Sequence, residues 1–83
     1  MKNNNEKYKN YLYDLGLLIK EEALEAKKAR DQEEKGSEGY IFEEGYLMAF
    51  HRVISLMQQQ AEAFGIPLED LRLHDIDPDQ DLV

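Results

Sequence analysis

Apolar residues recur at spacings of three and four along two long stretches of the chain, which predicts two amphipathic helices. The first covers about residues 5–32, contains no proline, and is rich in the strong helix formers Leu, Ala, Glu and Lys. Gly16 lies at the edge of its apolar face, where it is either tolerated or lets another backbone approach closely. The main stripe of this helix consists of Tyr8, Tyr11, Leu12, Leu15, Leu18, Ile19, Ala26 and Ala29.

The second helix, predicted over about residues 38–64, contains the densest apolar run of the chain, Tyr46 to Met57. Its apolar arc is wider than one neighbouring helix can cover, since a two-helix seam needs only a narrow stripe. The flank of the arc consists of Phe42, Ala49 and Leu56. The main stripe, expected to face the first helix, consists of Tyr46, Leu47, Phe50, Val53, Ile54, Met57, Ala61 and Phe64.

The helices are separated by a short polar loop, residues 33–37, in which Ser37 is a good N-cap. So short a connection predicts an antiparallel hairpin. Gly65 followed by Ile66 and Pro67 predicts the end of the second helix. The sequence therefore predicts one all-α domain: a long antiparallel helical hairpin, a short helix at about 67–71, and an extended acidic tail at 72–83. The tail is expected to dock through Leu68, Leu71, Leu73 and Ile76.

Two further patterns bear on assembly. A weaker apolar stripe of Tyr13, Leu17 and Leu24 lies opposite the main stripe of the first helix, which indicates either another subunit or the tail folding back. Opposite charges at Lys27/Asp31 and Arg30/Glu34, each pair four residues apart, predict that the loop end of this helix is solvated. An 83-residue chain has a marginal core. We therefore expect two hairpins to pair into a homodimeric four-helix bundle.

The composition narrows the classes of partner. With 18 acidic and 10 basic residues the net charge is −8, which argues against direct binding of nucleic acid or of an anionic membrane surface. The chain has no cysteine, and neither a signal peptide nor a membrane-spanning segment is predicted. These features together predict a cytoplasmic location.

Few residues are candidates for chemistry. Aspartates alternate at 75, 77, 79 and 81, but Gln80 and Pro78 do not fit a calcium-binding loop, so a solvated tail is expected. The two histidines, His51 and His74, lack a partner at metal-ligand spacing. We predict no enzyme activity, catalytic residue, metal site or cofactor. Glu22 lies within the apolar stripe and is expected to form a structural pair with His51 or Arg52.

The function favoured by these patterns is that of a small non-catalytic interaction module, an adaptor, regulator or assembly factor that binds through apolar helix faces. The net charge supports an alternative, an acidic inhibitor of the immunity or nucleic-acid-mimic type that covers a basic surface. The residues predicted to form the interface are Phe42, Tyr46, Ala49, Phe50, Val53, Leu56 and Met57, together with Tyr13, Leu17 and Leu24.

Overall fold

The computed structural model describes residues 4–83, with the side chain of Asn4 left out of the description. Helix α1 spans Asn4–Asp31 and helix α2 spans Glu38–Ala63. They pack as an antiparallel hairpin, which confirms the predicted fold class. A single 3₁₀ turn follows at Leu68–Leu71, and a short helix, α3, spans Pro78–Asp81.

The ends of α2 follow the local sequence signals. The Ser37 hydroxyl accepts a hydrogen bond from the Tyr40 backbone N–H at 3.1 Å and so caps the first turn. At the other end Gly65 adopts a φ of 68°, and the Ile66 N–H bonds the Ala61 carbonyl at 2.8 Å. This left-handed glycine and its six-to-one bond form the helix end that the sequence predicts.

The seam between the helices is rotated from the predicted one. Tyr8, Tyr11 and Leu18 of α1 are exposed, although they were assigned to its packed face. Tyr46, Val53 and Phe64 of α2 are exposed as well. Among the buried and half-buried positions, one set on each helix repeats at alternating spacings of four and three: 12, 16, 19, 23, 26 and 30 on α1, and 47, 51, 54, 58 and 61 on α2.

The C-terminal tail causes this rotation, because it packs along one side of the hairpin and both helices turn toward it. The tail is not extended as predicted: Asp77 caps α3 by accepting the Asp79 N–H at 3.0 Å, and Asp81 accepts the Asp77 N–H at 2.8 Å. Its apolar side chains complete the core between the helices. The buried residues of this segment are Leu71, Leu73, Ile76, Pro78 and Leu82.

Gly16 lies where the 3₁₀ turn packs directly on the backbone of α1. A Cβ at this position would overlap the backbone carbonyl of Leu71. Of the two explanations for a glycine here, the close approach of another backbone is therefore the one that the structure supports.

Gln58 of α2 binds the tail through two hydrogen bonds. Its side-chain amide donates to the backbone carbonyls of Leu73 and Ile76, at 3.0 and 2.8 Å. Both acceptors belong to buried residues, so losing the donor leaves them without a replacement.

We predict that Gln58→Glu lowers the free energy of unfolding by about 2 kcal/mol, because a carboxylate cannot donate to these two carbonyls. The matched control is Gln59→Glu, which adds the same charge at the next position, where the side chain is exposed and makes no hydrogen bond within residues 4–83. Urea unfolding followed by circular dichroism measures both variants. Equal losses would contradict the role assigned to Gln58.

Candidate interaction surface

One apolar surface of α2 is exposed to solvent. It is a stripe of five exposed residues whose spacings alternate between four and three, the repeat by which one helix packs along another. Among its large members, Phe42 is 71%, Tyr46 46%, Val53 42% and Leu56 41% exposed. We call this surface the outer stripe; it consists of Phe42, Tyr46, Ala49, Val53 and Leu56.

Apolar neighbours extend the outer stripe toward α1. Phe50 and Met57 are half-buried between the stripe and the core, and the Phe50 ring meets Tyr46 edge-on at a centroid distance of 5.0 Å. Phe64, 76% exposed, borders an apolar groove at the open end of the hairpin, shared with Leu12 and Ile66. Of the predicted interface residues, the seven on α2 therefore form one continuous surface.

The other three predicted interface residues lie on α1, away from that surface. Tyr13 lies beneath the guanidinium of Arg72, 4.7 Å from the ring centroid, so the tail partly covers it. Leu17 is half-buried, and Leu24 is exposed beside a groove that Ile76 of the tail also lines. Of the two explanations for this second stripe, its contacts favour the tail folding back.

The pair expected between Glu22 and His51 or Arg52 does not form. Glu22 and Arg52 are both exposed, and neither takes part in an ion pair within the described residues. His51 instead lies 3.0 Å from an Asp79 carboxylate oxygen at the start of α3. The expectation assumed that Glu22 is buried; because the seam is rotated, Glu22 reaches water and needs no partner.

Ion pairs also hold the tail along α1. Lys20 donates to Asp75 at 2.7 Å, and this hydrogen bond lowers the pKa of the Asp75 carboxyl below its ordinary value.

At the loop end of α1, Arg30 is only 8% exposed, although the sequence predicts a solvated position. It donates to Asp31 and Glu44, at 2.9 to 3.2 Å, and to the Val83 carbonyl at 3.2 Å. The bond to Asp31 raises the pKa of Arg30.

The tail aspartates act separately rather than as one site. Asp75 pairs with Lys20 and Asp79 with His51, while Asp77 and Asp81 bond backbone N–H groups of the tail itself. Within residues 4–83, no group of three or more His, Asp or Glu side chains is placed to hold a metal ion.

Comparisons with known proteins do not assign this chain to a family. No protein-family model matches the chain, and neither the curated proteins nor the solved structures give a significant match. Over the same described residues, no helix is long and apolar enough to cross a membrane. A proposal for the function therefore rests on the surface described above.

Proposed function

We propose that this protein is a small non-catalytic interaction module, an adaptor, regulator or assembly factor, that binds through the outer stripe of α2. One observation carries the proposal: the stripe is apolar, continuous and helically spaced, yet each of its residues is exposed in the described part of the chain. Contiguous exposed apolar surface of this extent is typical of interaction sites. A helix that binds in a groove or forms a coiled coil does so through apolar side chains at this spacing.

The contrast between the two sides of α2 supports this function. The side under the tail carries His51 and Gln58, whose polar groups are used to hold the tail in place. The outer stripe carries no ionisable group apart from the Tyr46 phenol, and none of its side chains takes part in a hydrogen bond or ion pair given for residues 4–83. A surface kept apolar but left free by its own fold is better suited to an external contact than to stability.

Site-specific photo-crosslinking in the native cell tests the proposal. A benzophenone amino acid replaces Tyr46, on the outer stripe, and in a separate variant Met48, a control of similar exposure (48%) outside the stripe. We expect discrete protein adducts from position 46 and none of the same size from position 48. Absence of adducts at 46, or the same adducts at both positions, would contradict the function.

The acidic-inhibitor alternative has less support. Two of the four tail aspartates, Asp75 and Asp79, already pair with Lys20 and His51 of this chain, which reduces the tail's capacity to bind a basic surface. Residues 45–61 of α2, which include most of the outer stripe, contain no acidic residue at all. Binding through this surface therefore depends on apolar contact, which salt weakens little, and not on charge attraction.

A further inference from the structure

We propose that the occupant of the outer stripe is the outer stripe of a second copy of this chain. The two α2 helices would lie antiparallel, related by a two-fold axis near Val53. This inference rests on the proposed function and names its partner. It is argued from the area of the surface, from its charge and from its symmetry.

The exposed apolar area is sufficient for a stable dimer. An aromatic side chain presents about 200 Å², and the phenylalanines at the two ends of the surface, Phe42 and Phe64, are 71% and 76% exposed. With Tyr46, Val53 and Leu56, the exposed area of this surface reaches roughly 500 Å², about the apolar share of the ~800 Å² per partner of a standard interface. Within residues 4–83 four large side chains are fully buried, and so small a core would gain stability from the covering of this surface.

The charge of this surface favours a second copy over a basic partner. Each copy carries a net charge of −8, so two copies repel wherever their acidic faces meet. Residues 45–61 form the longest part of α2 without a carboxylate; Arg52 is their only Lys or Arg, and it lies beside the stripe. Pairing through this segment keeps the acidic residues of both copies apart. A basic partner would have no carboxylate to pair with along residues 45–61.

The arrangement of side chains along α2 suits a two-fold axis. A symmetric dimer requires a surface that is complementary to itself. Phe42 and Phe64 lie equally far from Val53 along the chain, so antiparallel pairing about Val53 brings Phe42 of each copy level with Phe64 of the other. The same pairing sets the small Ala49 against the larger Leu56 and Met57, which lets the side chains interdigitate.

Cysteine crosslinking tests this arrangement, because the natural chain has no cysteine. Single cysteines are placed at Val53, Phe42, Phe64 and, as a control, Met48, and the purified variants are treated with a short bis-maleimide. Val53→Cys should crosslink to itself, since the residue lies at the two-fold axis. Phe42→Cys should crosslink when mixed with Phe64→Cys but not with itself, and Met48→Cys should not crosslink.

Sedimentation equilibrium gives the independent measurement. The wild type should sediment as a dimer at tens of micromolar, and Val53→Asp should weaken the dimer about 100-fold or more, because it buries an unpaired charge. Met48→Asp adds the same charge outside the stripe and should leave the dimer intact. Both exchanges are at exposed positions, and circular dichroism confirms that the helices are retained.

Three results would overturn the inference: a monomeric wild type at these concentrations, self-crosslinking of Phe42→Cys, or equal effects of Val53→Asp and Met48→Asp. A monomer that still gives photo-adducts with a different protein at position 46 would overturn only the second copy. The proposed interaction function would then stand. Absence of adducts at position 46 would count against that function whatever the oligomeric state.

Discussion

Gly16→Ala is expected to lower the free energy of unfolding by about 2 kcal/mol or more, although alanine is the better helix former by about 1 kcal/mol. The added Cβ would overlap the Leu71 carbonyl, which is backbone and cannot turn aside as a side chain would. The 3₁₀ turn must therefore shift away from α1, and the buried Leu71 shifts with it. Thermal unfolding should show a Tm lower by roughly 8–16 °C.

Gly45→Ala is the matched control for this prediction. Gly45 also lies within a long helix, but it is exposed and a Cβ there meets nothing within 4 Å. Alanine at this position should stabilise the protein by about 1 kcal/mol through helix propensity alone. The two exchanges should therefore have opposite signs at equal protein concentration. A stabilising Gly16→Ala would show that the contact with the Leu71 backbone is absent.

Leu73→Ala is expected to have the second large effect, a loss of about 2–5 kcal/mol in the free energy of unfolding. Leu73 is fully buried, at 0% exposure, although it lies in a segment with little regular structure. Removing its side chain leaves a cavity in the core that the tail completes, and the Gln58 hydrogen bonds to the Leu73 and Ile76 carbonyls limit how far the tail can collapse into it. Urea unfolding gives the difference in free energy.

Leu24→Ala makes the same chemical change at a residue that is 45% exposed. We expect this control to cost less than about 1 kcal/mol, because little surface is withdrawn from water on folding. If Leu73→Ala were as mild as Leu24→Ala, the tail would not be part of the cooperatively folded core.

The sequence was sufficient to predict the hairpin and the residues at which its second helix begins and ends. Period and length identified both helices, Ser37 identified the start of α2, and Gly65 with Pro67 identified its end. These are local properties: a helix stripe, a cap and a left-handed glycine each depend on a few neighbouring residues. The sequence also predicted that the C-terminal segment docks on the helices, because its four apolar residues must be withdrawn from water. These residues are Leu68, Leu71, Leu73 and Ile76.

The orientation of each helix could not be predicted from apolar periodicity. On α2 two stripes lie side by side, and the outer stripe is the more continuously apolar. The stripe that faces the core includes His51 and Gln58, whose polar groups bond the tail. The predicted main stripe therefore falls between the two: its Leu47, Ile54 and Ala61 are buried as expected, but its Tyr46 and Val53 belong to the outer stripe. Only the position of the tail, which is a tertiary property, distinguishes between them.

The buried arginine was missed for a similar reason. Arg30 has acidic residues nearby in sequence, so local spacing predicted a solvated ion pair. In the fold its partners include Glu44 on the other helix and the Val83 carbonyl, and its guanidinium lies 5.8 Å from the ring centroid of Tyr40. None of these contacts leaves a periodic signal, because each joins residues from different elements.

The way the tail is held has a consequence for how such a protein can diverge. Gln58 and Gly16 contact backbone carbonyls of the segment from Leu71 to Ile76, and a carbonyl is present whatever the side chain. Exposed positions in this segment, such as His74, can therefore accept substitutions without weakening these backbone contacts. Natural selection would instead be expected to preserve Gln58 and Gly16 strictly, although neither would be ranked among the apolar core residues.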